Sequence, residues 1–124
     1  MELVRVELLK HIEGYSKKRV ETMKMKIIQD NLWVKPICIE KNHYLVLDGQ
    51  HRLEAAKELG LTHIPCELFD YKDVEVWSLR PNHQVNPALV IEKTLKGDIY
   101  PYKTAKHRFP MEIKECNLPL DCLK

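Results

Sequence analysis

The sequence has no run approaching the roughly 20 apolar residues needed to span a bilayer, and no apolar signal-peptide segment follows Met1-Glu2-Leu3-Val4-Arg5. A cytoplasmic protein is therefore expected, with no membrane partner. Charge of one sign is scarce as well: 20 Lys and Arg face 18 Asp and Glu, for a formal net charge of +2. So small an excess lacks the positive field of a protein that coats nucleic acid, which is not an expected partner. The four cysteines, Cys38, Cys66, Cys116 and Cys122, form no CxxC pair of the kind that closes a zinc site or a redox disulfide. Cys38 and Cys66 lie in apolar runs and read as reduced core residues. Cys116 and Cys122 would permit a disulfide or a metal without requiring either. Internal repeats, low-complexity stretches and linkers are missing too. With 124 residues at 44% hydrophobic content, there is material for one core and too little for two ordinary domains, so residues 1–124 read as a single domain. No oligomeric state follows from the sequence.

What is present is a sequence of periodic segments. Leu3 to Leu9 alternates loosely between apolar and charged residues, as a half-buried strand does. From Ser16, a helix-capping residue, the period changes: Val20, Met23, Ile27 and Ile28 line one face, and the helix should end near Asp30-Asn31. Val34 to Glu40 and Tyr44 to Leu47 are apolar runs joined by Lys41-Asn42-His43, a β-hairpin pattern. Gln50 to Leu59 carries Leu53, Ala56 and Leu59 at helical spacing, with Gly60 placed as its left-handed terminus. Thr62 to Phe69 and Glu75 to Leu79 read as strands, and Asn86-Pro87 opens a last helix that stops at Gly97. Beyond Gly97 the chain reads as irregular; Pro101, Pro110 and Pro119 argue for an extended wrap over disorder. The fold class expected is α/β (α+β), a small mixed sheet with helices packed against it.

One place on this framework suits anion chemistry. A strand ending in Asp48-Gly49 and passing directly into a helix lets the backbone approach a phosphate closely, while the amides and dipole of the first helical turn favour negative charge. His51 and Arg52 add donors, Arg52 as a fork for phosphate oxygens. Asp48 stands where a carboxylate could share Mg²⁺ with phosphates and water. The plainer reading makes Asp48 a helix cap, Gly49 a turn and Arg52 a solvated charge. His11, His43, His63 and His83 read as surface residues, with no zinc spacing among them.

Tyr44-Leu45-Val46-Leu47-Asp48-Gly49-Gln50-His51-Arg52-Leu53-Glu54-Ala55-Ala56 resembles the signature of the ParB/sulfiredoxin superfamily, in which a glycine, a following arginine and the helix N-terminus hold nucleotide phosphates. Sulfiredoxins carry a cysteine in this turn, where Gly49-Gln50 stands here, and chromosome-partitioning ParB proteins continue into a helix-turn-helix domain for which this sequence leaves no residues. The free L-serine kinase branch is the nearest. Lys103-Thr104-Ala105-Lys106-His107-Arg108-Phe109-Pro110 is similar to the Lys-Thr-Thr-Arg-His segment of those kinases, Val76-Trp77-Ser78-Leu79-Arg80-Pro81 to their tryptophan-containing stretch, and Val90 to Gly97 to their last helix. The family turn commonly reads Asp-Gly-His-His-Arg, so Gln50 departs from it, and the chain lacks an insertion between the Trp77 region and the final helix.

The resemblance implies a kinase that moves a phosphoryl group from ATP or ADP to the hydroxyl of L-serine, with Mg²⁺, through residues 98–124 completing the site. It implies Glu13 as catalytic base, Asp48 as a catalytic residue holding the metal, Gly49, Gln50, His51 and Arg52 at the nucleotide phosphates, and Trp77, Lys103, Thr104 and His107 at the serine. Lys103 and Lys106 could each face substrate or nucleotide. The alternatives are a nucleotide-binding sensor that transfers nothing, or a ParB-like nuclease or DNA-associated module.

Overall fold

The computed structural model describes residues 1–124. In chain order its elements are β1 (Glu2–Arg5), a 3-10 turn (Val6–Leu8), β2 (Lys10–His11), α1 (Lys17–Asp30), β3 (Leu32–Trp33), β4 (Ile37–Glu40), β5 (Leu45–Asp48) and α2 (Gln50–Glu58). There follow β6 (His63–Phe69), a 3-10 turn (Tyr71–Asp73), β7 (Glu75–Ser78), α3 (Pro87–Leu95), β8 (Ala105–Arg108), β9 (Leu118–Pro119) and a closing 3-10 turn (Leu120–Leu123). Five strands form one mixed sheet in the order β1-β6-β4-β5-β2, with β4/β6 and β2/β5 parallel and the other pairs antiparallel. The expected mixed sheet with packed helices is thus observed.

The central hairpin explains why its two runs are almost continuously apolar. Ile37, Ile39 and Val46 join a core shared with Ile27, Leu53, Ala55 and Ala56 of the helices. Cys38, Leu45 and Leu47, pointing the opposite way, join a second core with Phe69, Val74, Val90 and Tyr100. A strand that buries both faces has no polar alternation to display. Glu40, almost fully buried, closes the hairpin by accepting the amides of Asn42 and His43 at 3.0 and 2.6 Å. Both expected helix caps are present: Ser16 Oγ accepts from Arg19 N at 3.3 Å and Asn86 Oδ1 from Leu89 N at 2.9 Å. Asn31, at φ 52, supplies the left-handed end of α1.

Two expectations need correction. Leu3 to Leu9 is not one strand, because Val6 N turns to Thr62 O at 2.9 Å and Leu9 N folds back on Val6 O at 3.2 Å. The 3-10 turn carries the chain from β1 at one sheet edge to β2 at the other. Five residue steps reach at most about 18 Å, and four strand spacings of a flat sheet are about 19 Å, so the sheet must curl to let them connect. The segment after Gly97 is extended but not irregular: β8 pairs with β7, β9 pairs with β3, and Leu123 is fully buried. The alternation that drives β8 is short, with Ala105 and His107 inward and Lys106 and Arg108 outward. All four cysteines are free thiols, and Cys38 and Cys66 are buried. No helix is long and apolar enough to cross a membrane.

Candidate functional site

The turn between β5 and α2 is the centre of a cleft of about 580 Å³. Gly49 has φ +126, and a Cβ there would stand 2.5 Å from Ile37 Cγ2, so only glycine fits. Helix α2 starts without a side-chain cap and without an acidic residue in its first turn. Its leading amides are therefore open to an anion at the positive end of the helix.

Three stretches of chain meet around this turn. The β5–α2 turn supplies Asp48, His51 and Arg52; the β2–α1 loop supplies Glu13 and Gly14; the tail supplies Tyr102, Lys103, Lys106 and His107. The tail is zipped to the loop by backbone bonds, Tyr100 N to Ile12 O at 3.0 Å and Gly14 N to Tyr100 O at 2.9 Å. Glu13 is buried, and its Oε2 accepts the Thr104 amide at 2.8 Å. Burial raises the Glu13 pKa above its ordinary value, against the lowering pull of the Thr104 and Ala105 amides and the Arg80 guanidinium. A buried carboxylate of this kind is a stronger base than an exposed one.

Asp48 is exposed at the cleft edge, with Oδ2 3.8 Å from Arg52 Nη2. No three His, Cys, Asp or Glu side chains are grouped to hold a metal ion on their own. One carboxylate at a phosphate-binding turn nevertheless suits Mg²⁺, which takes its remaining ligands from phosphate oxygens and water. Arg52 is held in place by the Lys35 and Pro36 carbonyls, at 2.8 and 3.3 Å from Nη1, so part of its fork faces the β3–β4 connection. His51 Nε2 accepts the Ser16 amide at 3.1 Å. Burial, together with the nearby Arg19, His11 and Lys103 charges, lowers the His51 pKa and keeps the ring neutral.

Gln50 is at the expected turn, but its side chain points inward. Nε2 donates to Val46 O at 2.6 Å and Oε1 meets His11 Nδ1 at 2.6 Å. His11 is consequently not a surface residue: its Nε2 lies 2.7 Å from Glu54 Oε2, and its side chain is 15% exposed. The bonds to His11, Lys57 and Tyr15 outweigh desolvation and lower the Glu54 pKa.

The residues expected at the serine separate. Lys103 lines the cleft. Thr104 is fully buried, with Oγ1 donating to Pro101 O at 2.7 Å, so it reaches the site only through its amide on Glu13. His107 forms part of the wall, yet Nε2 takes the Tyr71 hydroxyl at 2.7 Å and Nδ1 is buried beside the Leu47 carbonyl without a bonded partner. Burial and the Lys106 charge hold the His107 pKa down to about 4. Trp77 is the exception: it lies on β7 across from Lys106, is 42% exposed and is not part of the cleft wall. Arg19, Tyr102 and Tyr71 were not anticipated. Only Arg19 left a signal, since Lys17-Lys18-Arg19 puts three cations in the first turn of a helix, where the dipole disfavours them.

The chain is 28% identical over 125 residues to a protein of Desulfurococcus mucosus named ATP-dependent L-serine kinase, a match covering 96% of this chain and 44% of that one. It is 32% identical over 72 residues to a ParB-like protein of Sulfolobus acidocaldarius, covering 58% of this chain and 36% of that one. The chain thus spans less than half the length of these curated relatives. Among solved structures, a free serine kinase in complex with AMP superposes with a TM-score of 0.90 at 14% identity, covering 99% of this chain and 93% of that one. Residues 1–93 match the model of the ParB N-terminal domain, and the chain, with its glycine turn between β5 and an uncapped helix, belongs to that family.

Proposed function

We propose that this chain transfers the terminal phosphoryl group of ATP or ADP to the hydroxyl of free L-serine, giving O-phospho-L-serine. One observation carries the reading: Glu13, a buried carboxylate with a raised pKa, lines the same cleft as the open amides of α2. A nucleotide-binding turn alone needs no buried carboxylate nearby, whereas phosphoryl transfer needs a group to take the proton of the attacking hydroxyl. The relative named L-serine kinase and the fold shared with a free serine kinase support the choice of acceptor.

In this mechanism the phosphates lie on the amides of Gln50 to Arg52, flanked by the Arg52 side chain and by the Lys106 charge. Asp48, with phosphate oxygens, would hold Mg²⁺, which neutralises charge developing on the transferred group. Glu13 orients the serine hydroxyl and accepts its proton as the new O–P bond forms and the P–O bond to the departing ADP or AMP breaks. Gly14 and the tail, pinned together through Tyr100, bring acceptor and donor to one place. The reading implies a cytoplasmic protein, where ATP, ADP and free serine are found together.

The test is incubation with L-serine, Mg²⁺ and either ATP or ADP, with phosphoserine detected by mass spectrometry. Serine-dependent product is expected with at least one donor. Nucleotide binding without product from either donor overturns the kinase and leaves a nucleotide sensor.

A further inference from the structure

Two of the tail residues that the resemblance puts at the serine, Thr104 and His107, are not free to hold the acceptor's carboxylate. The Thr104 hydroxyl and amide and the His107 Nε2 are all engaged inside the fold. Cations without carboxylate partners are nonetheless gathered at the cleft mouth. Arg19 takes part in no ion pair, and its Nη1 donates to the Tyr102 hydroxyl at 3.1 Å. Lys103 stands over the same ring, with Nζ 5.5 Å from its centre. Its backbone is left-handed, at φ 57, a conformation unfavourable for a residue with a Cβ. Two features are thus locally unfavourable: a cation in the first turn of α1 and a strained lysine. They converge on one tyrosine.

Tyr102 also fixes where this cluster lies. A Cβ on Gly14, the residue after Glu13, would be 3.4 Å from Tyr102 N, so the cluster adjoins the base. The His51 ring, 5.6 Å from that of Tyr102, lies towards the α2 turn where phosphates are expected. A guanidinium with one N–H engaged still has four to offer, in a planar arrangement that matches a carboxylate.

We infer that Arg19, flanked by Tyr102 and Lys103, forms a carboxylate subsite that receives the α-carboxylate of the amino-acid acceptor. This inference rests on the kinase reading for its ligand. It makes Arg19 the residue by which the site distinguishes a free amino acid from a serine whose carboxyl is in amide linkage. The nucleotide's phosphates are the other oxyanion that could occupy it, and the experiment separates the two.

L-Serine and L-serinamide binding is measured by calorimetry on the whole chain with AMP present, which has no phosphoryl group to donate, for the wild type, Arg19→Gln and Arg19→Lys. ADP affinity is measured separately without serine. Arg19→Gln is expected to weaken L-serine binding at least about tenfold, the scale of one charge-assisted hydrogen bond. L-Serinamide and ADP affinities should be unchanged, and Arg19→Lys should recover part of the loss. Unchanged L-serine affinity in Arg19→Gln, an equal loss for L-serinamide, a loss confined to ADP, or no L-serine binding by the wild type would each overturn the subsite. Arg19-dependent serine binding with no phosphoserine formed would defeat the kinase reading and leave the subsite standing. Phosphoserine formation with Arg19→Gln binding serine normally would do the reverse.

Discussion

The Thr104 amide donates to Glu13 Oε2 at 2.8 Å, joining positions 91 residues apart in the chain. The bond fixes the carboxylate of a loop before α1 by means of the residue that leads into β8, late in the sequence. Burial then works against that carboxylate, raising its pKa. Below its unfolded-state pKa both states hold the proton, and the protonated group carries no penalty. As pH rises through the raised folded pKa, the folded state must ionise a buried group and stability is lost. Glu13→Gln should therefore melt at a higher temperature than the wild type above that pH and at a similar temperature well below it, as followed by circular dichroism. In the same variant, phosphoserine formation should fall about 10²- to 10⁴-fold with ADP affinity unchanged. Turnover within a few-fold of wild type would remove Glu13 as the base.

Gly49→Ala places a methyl group 2.5 Å from Ile37 Cγ2 and 2.7 Å from Ile37 Cβ at a φ of +126. Ile37 is fully buried and cannot move aside. Denaturant unfolding should show a loss of about 2–4 kcal/mol from clash and backbone strain together, and ADP binding should be abolished.

Asp48→Asn keeps the size of the side chain and removes its charge at an exposed position. Unfolding stability should change by less than about 0.5 kcal/mol. The Mg²⁺ concentration for half-maximal activity should rise about tenfold or more, read from a metal titration at saturating nucleotide. An unaltered titration curve would mean that the metal, if one is used, is held elsewhere.

His107 has its pKa held down to about 4 by burial, so it is neutral in the folded state while an unfolded histidine titrates near its ordinary value. Between about 6.5 and 4 the unfolded chain binds the extra proton and the folded state does not. Wild-type stability should fall with decreasing pH across this window, by at most about 1.4 kcal/mol per pH unit from this residue. His107→Gln, which can still receive the Tyr71 hydroxyl, should lose that component and show a shallower decline in urea midpoints between pH 6.5 and 4.

The helices and the phosphate turn were legible in the sequence because their causes are local. Ser16 and Asn86 cap helices within three residues of themselves, and Gly49 is required by a turn only a few residues long. Gln50 shows where such reading stops. Its position in the turn was evident, yet its amide is directed inward by Val46 and by His11, 39 residues earlier. Arg52 likewise reads as a free phosphate ligand until the Lys35 and Pro36 carbonyls are brought beneath it. The break in the first strand depends on Thr62, and the order in β7 and β8 depends on each strand finding the other. Trp77, grouped with the serine-binding residues by resemblance, stays outside the cleft wall although its cross-strand partner Lys106 is part of it, a separation that only the assembled β7–β8 pair shows.

By itself, then, the sequence determined the helix boundaries, the mixed α/β character, and a glycine turn able to receive phosphate. Those properties follow from caps, periodicity and the steric needs of one residue, all of which act over a few positions. Tertiary structure alone decided which acid among 18 is buried against that turn. It also decided which cations are left without carboxylate partners at its mouth. Burial, ion pairing and pKa depend on groups distant in the chain that the curled sheet brings within a few ångströms, and no local pattern records who those neighbours will be.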